Sequence, residues 1–372
     1  EISKFTRELT THASSLLDRM ALISKYLNLA GNLIGLMLGL SFILCSTLPA
    51  SVTVSQRVTS IELTPHARRA IDRALAYLER EQSSNGSWGK ERYWVANTAL
   101  STMAFMVQGH VPGKGKYGET MEKGVGYLVA QAKQRPDGYI VDASSGTFYQ
   151  HALAVMALAE AWGQSKNPAV GPAVRAGTRV ILSSQNKEGG WGYSPDPKQP
   201  GDLSITIMGI EALVSAKEAG ILVPDVALER ARDFIYACQS KKSGAFWYKP
   251  NRTDETNAYR MGAGLLGLQL AGDLDSQSLD RGWKFLMGEG VEKGWAFKER
   301  RDWLDQFYCV QACYQAGDKY IKFWYPRAAE KIISQQESSG KIAGDGNMPH
   351  GGTAVATLVL AVPYRFLPIF QR

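Results

Sequence analysis

The side chains of this sequence best suited to chemistry do not form one continuous motif; they stand at the heads of successive helical segments. Three could move protons: Asp202, just after Pro200 and Gly201, His151, and Asp305. A carboxylate or an imidazole becomes a general acid or base only when its surroundings bring its pKa near the working pH. Aromatic and hydrogen-bonding groups stand at matching places in the same segments. They are Tyr93, Trp94 and Asn97; Phe148 and Tyr149, beside His151; Ser204, beside Asp202; Asn257, Tyr259 and Arg260; Tyr308 and Cys309, beside Asp305; and His350. Gathered at one mouth, such a set suits a hydrophobic ligand with one polar end. Each also has a plainer role, since aromatics fill cores and Asp202 and Asn257 can cap helices. As a cap Asp202 would accept backbone N–H groups at a positive helix end, which favours the ionised form over a proton donor.

The elements that must position these groups come in pairs. Segments such as ARRAIDRALAYLEREQ, VRAGTRVILSSQ and ERARDFIYACQ carry Ile, Leu or Val at three-and-four spacing with charged residues between, the pattern of a helix buried on one side. Each is followed by a richer, smaller-residue helix, among them VANTALSTMAFMVQG, YQHALAVMALAEAWG and LSITIMGIEALVSAKEAG. These are apolar nearly all round and so should be buried on both sides. Between the partners lie glycine turns ending at Trp88, Tyr139, Trp191, Trp247 and Trp295, with a degenerate sixth at Ile342, recurring every 47 to 56 residues. Gln82, Gln134, Gln185, Gln239 and Gln335 precede most of them. A period of this length marks a repeat architecture. Six pairs of one outer and one inner helix predict an all-α domain, an (α/α)6 toroid of six helical-hairpin repeats over residues 65–372.

At the turns the sequence resembles a known family. Gln82-Ser-Ser-Asn-Gly86-Ser-Trp88 and Gln185-Asn-Lys-Glu-Gly189-Gly-Trp191 match the QxxxGxW repeat of squalene and oxidosqualene cyclases. The likeness extends to protein prenyltransferases and is greatest to exported bacterial proteins with prenyltransferase/squalene-oxidase repeats. The motif is structural and speaks to the fold rather than to catalysis. In the cyclases a DxDD motif protonates an alkene; here the corresponding stretch is Asp202-Leu-Ser204-Ile, with serine where the family has its donor. A triterpene-cyclase-like reaction would therefore need a non-standard acid. No DDxxD for diphosphate-bound magnesium is present. Resemblance to the prenyltransferases suggests a zinc site from Asp305, Cys309 and His350, but the aspartate and cysteine stand four apart where that family has them two apart. No zinc and no cofactor is expected. A hydrolase on the same architecture would use a carboxylate pair, for which Asp202 and Asp305 are the candidates. A non-catalytic protein-binding scaffold is the remaining alternative.

Composition agrees with a large globular core, at 45% hydrophobic and 21% charged residues. The net charge of +7 is scattered, with no long basic run, so nucleic acid is not an expected partner. Four cysteines, one of them Cys45 in an apolar stretch, do not make a disulfide framework. The run Leu33 to Leu44 is uncharged, follows Arg19 and Lys25, and precedes a small residue at Ala50. Residues 1–50 thus read as a signal peptide or membrane anchor, with a possible upstream mis-start, and 51–64 as a linker. The expected location is outside the cytoplasm, with membrane contact through the N-terminal segment if it stays attached.

Overall fold

A computed structural model describes residues 61–89, 92–142, 146–253, 255–298, 303–344 and 350–364. The expectations for residues 1–50 and most of the linker lie outside the described residues. Among the described residues there are twelve α-helices: α1 Pro65–Arg80, α2 Trp94–Met106, α3 Gly118–Gln134, α4 Phe148–Ala161, α5 Val170–Ser184, α6 Leu203–Glu218, α7 Asp225–Ala237, α8 Ala258–Leu270, α9 Gln277–Phe285, α10 Leu304–Ala316, α11 Asp318–Ser334 and α12 Gly351–Ala361. A π-helical turn, Leu286–Gly290, continues α9. Among the described residues there is no strand, only isolated bridges.

The even-numbered helices form the inner ring. Each packs on its even-numbered neighbours, and α12 returns to α2, so the ring closes. The odd-numbered helices lie outside, each against the preceding inner helix and all but α9 also against the following one. Burial follows the sequence pattern: every residue of α12 and nearly every residue of α2, α4 and α6 is buried, whereas α7 buries only five of its thirteen. The fold is an all-α α/α toroid. Among the described residues no helix is long and apolar enough to cross a membrane.

The glycine turns are the joints between repeats. Gln82 Nε2 donates to Gly86 O (2.9 Å) and to Thr120 O on the next outer helix (2.8 Å). Gln185 does the same to Gly189 O and Ala227 O, and Gln239 to Gly244 O and Ser278 O. The sixth joint uses Gln336 rather than Gln335: Gln336 Nε2 reaches Gly340 O and Ala70 O on α1, which ties the last repeat to the first. Gln134 is exposed and takes no such part. Every joint glycine has positive φ, and at all but the fifth joint, where Gly294 lies in open space, a side chain would be crowded. A Cβ on Gly189 would lie 2.1 Å from Arg230 O, and one on Gly340 2.2 Å from Arg73 O.

Two residues after that glycine stands the buried anchor: Trp88, Ile140, Trp191, Phe246, Ala296 and Ile342, all fully buried. In repeats two, four and five this is one residue away from the aromatic that marks the turn in the sequence, because Tyr139, Trp247 and Trp295 are merely adjacent to it. Where the anchor is tryptophan, its indole N–H donates to the preceding outer helix, Trp88 to Leu78 O and Trp191 to Ile181 O. The fifth joint has no glutamine; Gln306 on α10 instead donates to Ala296 O and accepts from the Trp324 indole.

Candidate functional site

A lock between each turn and the following inner helix sets which side chains face the ring's interior. The anchor's backbone N–H donates to Thr98 Oγ1 in the first repeat, His151 Nδ1 in the second, Thr206 Oγ1 in the third, Met261 Sδ in the fourth and Thr353 Oγ1 in the sixth. These residues therefore face outward. At 100° per residue, positions two before and two, five and nine after the lock face inward. On α6 they are Ser204, Met208, Glu211 and Ser215; on α10, counted from Gln306, they are Leu304, Tyr308, Gln311 and Gln315.

The first inward position is the mouth. Tyr149, Ser204, Tyr259 and Leu304 stand there and are partly exposed. The next two positions are buried on every inner helix, and Gln311 Nε2 meets Glu211 Oε1 at 3.5 Å between α10 and α6, which are not neighbours in the ring. The described interior is thus filled below the mouth, and its accessible surface is the aromatic rim. Tyr259 packs edge-on against Tyr308, with ring centres 5.1 Å apart.

Asp202 sits at this rim. It is the N-cap of α6, accepting from Ile205 N (3.0 Å) and Ser204 Oγ (2.5 Å) through Oδ1. Its Oδ2 accepts from Tyr248 Oη at 3.1 Å, and Tyr248 is 3.0 Å from the half-exposed Tyr193 hydroxyl. The cap geometry agrees with the sequence, but the charge state does not follow from it. Burial raises the Asp202 pKa and outweighs the hydrogen bonds that lower it. Arg260 donates to Glu255 O and lies over the Tyr248 ring, so it lines the rim without pairing with Asp202.

The remaining candidates are not brought together. His151 is fully buried behind the ring wall; Nδ1 accepts from Ile140 N and Nε2 faces Gly177 O at 3.1 Å. Burial lowers its pKa to about 4, so it is neutral. It does for its repeat what threonine does in three others. Asn97 is buried, with Nδ2 on Tyr93 O, and Trp94 is partly exposed at the start of α2. Asp305 accepts from the backbone and side chain of Gln306. Cys309 Sγ is turned onto Ala258 O at 3.3 Å, with its pKa raised by burial. His350 stacks on Tyr77 of α1. Among the described residues no group of three His, Cys, Asp or Glu could hold a metal ion. Cys238, Cys309 and Cys313 are buried free thiols.

Three residues were not singled out in the sequence. Tyr193 and Tyr248 lie in loops after the turns, outside any inner-helix head. Glu211 had a usable signal, as the lone acid within the apolar stretch LSITIMGIEALVSA. Burial pushes its pKa up to about 8, well above the usual carboxylate range, so it is largely protonated at neutral pH.

No protein-family model matches the sequence, and no curated protein does. Solved structures share the fold. A glycoside hydrolase family 76 mannosidase from Bacteroides thetaiotaomicron is 13% identical, covering 81% of this chain and 98% of its own, with a TM-score of 0.56. Type II terpene cyclase MstE from Scytonema is 15% identical over 81% of this chain and 100% of its own, with a TM-score of 0.54. An inactive α-1,6-mannanase variant from Salegentibacter sp., bound to α-1,6-mannotriose, is 13% identical over 79% and 98%, with a TM-score of 0.58. These likenesses show the α/α toroid and no more. That mannanase was inactivated by replacing two successive aspartates, a pair that occurs nowhere in this sequence.

Proposed function

We propose that this toroid binds a hydrophobic, isoprenoid-like molecule across its mouth, with the apolar body against Tyr149, Tyr259 and Leu304 and a polar end at Asp202 and Tyr248. One observation carries the reading: the accessible inner surface is a partly exposed aromatic and apolar rim with the buried carboxyl of Asp202 at its edge. Pockets of that make-up hold ligands by area and orient them by a few polar groups. The terpene cyclase sharing the fold has been captured with geranylgeranyl dihydroxybenzoate, a molecule with an apolar chain and a polar ring. Its fold relationship supports the reading only as analogy. Mass spectrometry of organic extracts from the purified protein tests it. A lipid retained by wild type and lost in Tyr149→Ala/Tyr259→Ala supports the reading; an empty wild type counts against it and favours a protein-binding scaffold.

The second reading is a triterpene-cyclase-like reaction with a non-standard acid, favoured by the neutral carboxyl of Glu211. Squalene turned over to cyclic products by wild type, but not by Glu211→Gln, would establish it. Export from the cytoplasm belongs to the same proposal and rests on the Leu33 to Leu44 run with Arg19 and Lys25 before it and Ala50 after it. Recovery of the whole chain in the soluble cytoplasmic fraction would remove it.

A further inference from the structure

We propose that the end of the ring opposite the mouth is a dimer interface, on which a second copy of this chain packs face to face about a two-fold axis. The mouth of each copy stays open in such a dimer, so its ligand takes no part in the contact.

The connections from each inner helix to the next outer helix gather at this end, and in a closed ring of six the first lies across from the fourth. The third and fourth carry the apolar surface. Leu222 is 88% exposed, Val226 56% and Leu274 72%; of the exposed large hydrophobic side chains among the described residues, only Tyr193 lies elsewhere. Tyr236 of α7 donates to Asp273 Oδ2 at 2.7 Å, which holds the Leu274 loop against the helix that carries Val226. Single exposed apolar side chains are ordinary, whereas a group of them on neighbouring loops marks a contact surface. Acids surround this group: Glu218, Asp225, Asp275 and Asp280 are exposed, and the base among them, Lys217, is paired with Asp225 at 2.6 Å.

The first and second connections have the opposite sign. Lys114, Lys116 and Lys166 are exposed and enter no ion pair among the described residues. On α3 beside them, Glu119 is paired with Lys123 at 2.7 Å, and Glu122 is the other acid there. Lys114 and Lys116 are presented by a fixed loop. Lys114 N donates to Val111 O and Gly113 N to Gly118 O, while Gly113 and Gly115 take the positive φ that the turn needs. Val111 and Trp162, both partly exposed, supply apolar surface in this half.

A two-fold axis in the plane of this end, perpendicular to the line from the first connection to the fourth, sets the fourth of one copy on the first of the other. The same axis sets the third on the second. Each basic connection then meets an acidic one, with Leu274 against Val111 and Leu222 against Trp162. A symmetric dimer requires this self-complementarity, and opposite charges fix its register. A membrane is the other occupant that exposed leucines fit, but the acids around them repel an anionic lipid surface.

Sedimentation velocity of the full chain over a range of protein and salt concentrations tests the proposal. We expect a monomer–dimer equilibrium that weakens as salt rises, and a monomer for Leu222→Asp/Leu274→Asp. Lys114→Glu/Lys116→Glu and Asp275→Lys/Asp280→Lys should each weaken self-association about tenfold or more. Mixed together, these two charge variants should form a heterodimer, because both of its contacts again join opposite charges. The Leu33 to Leu44 run is common to every variant and so cannot account for differences among them. A wild type that stays monomeric would overturn the dimer, as would a dimer that survives Leu222→Asp/Leu274→Asp or charge variants that do not associate when mixed. Cosedimentation with phosphatidylcholine/phosphatidylglycerol vesicles that is lost in Leu222→Asp/Leu274→Asp would overturn it too and assign this end to a membrane.

Discussion

The joints between repeats and the interior of the ring are built from the same six hairpins and follow opposite rules. At four of the six joints a glutamine amide spans its own turn and the neighbouring helix, and a glycine presses on a backbone carbonyl. In the interior, the residue five places after the lock is Met103, Met156, Glu211, Leu266, Gln311 or Leu358 according to repeat. The joints conserve hydrogen bonds around the ring; the interior breaks the symmetry and leaves polar atoms unpaired. A repeat fold can keep its geometry in the periodic positions while chemistry collects in the aperiodic ones.

The sharpest way to break this contrast is at a joint glycine. Gly189→Ala forces a Cβ into Arg230 O at a φ of +93°, and should cost about 4 kcal/mol or more. Gly163 has a similar φ of +87° but open space around it, and Gly163→Ala should cost only about 1 kcal/mol. Equal melting temperatures for the two variants would refute the joint as a close contact.

The interior answers to pH instead. Glu211 binds a proton in the native state between its ordinary value of 4.5 and about 8, so it lowers stability as pH rises through that window. His151 acts in reverse: its pKa is depressed from 6.5 to about 4, so its contribution to stability is lost as pH falls through that range. Between pH 5 and 7.5 the wild type should lose about 3 kcal/mol relative to Glu211→Gln. Chemical denaturation at several pH values checks this, and parallel profiles would show that Glu211 is ionised throughout.

Two smaller effects sharpen the comparison. Gln185→Ala strands two carbonyls and should cost about 2 kcal/mol, whereas Gln134→Ala, at the joint without the bond, should change stability by less than about 0.5 kcal/mol. Asp202→Ala should cost about 1 kcal/mol through the lost cap, and Asp202→Asn should recover most of it. Thermal melts of the four variants give the ranking.

The periodic half of the molecule was legible in the sequence. Helical spacing and glycine turns give the twelve helices, and the two full QxxxGxW copies at Trp88 and Trp191 sit where their indoles bond the outer helix. The degenerate copies were legible only to within a residue, since Phe246 and Ile140 do the anchoring beside a more conspicuous aromatic. The candidate site was less readable. Asp202 declared its cap through position, but its charge depends on burial that no local pattern records. His151 and Tyr149 are two apart on one helix, and only the lock's register shows that one faces the wall and the other the mouth. Tyr193 and Tyr248 reach the rim from loops whose path the helical period does not determine.

Closure at the sixth joint bears on how the chain could be rewired. An open solenoid tolerates added or deleted units and needs special end units to shield its exposed faces. Here the faces that would need shielding are pressed together, Gly340 on Arg73 and Gln336 on Ala70. Adding a seventh hairpin would change the circumference and force every joint out of register. Joining residues 61 and 364 through a linker and reopening the ring in any connection from an inner to the next outer helix would, by contrast, preserve all six joints. Circular permutants opened after Gly163 or Gly220, both glycines in open space at such connections, should therefore fold to the same ring.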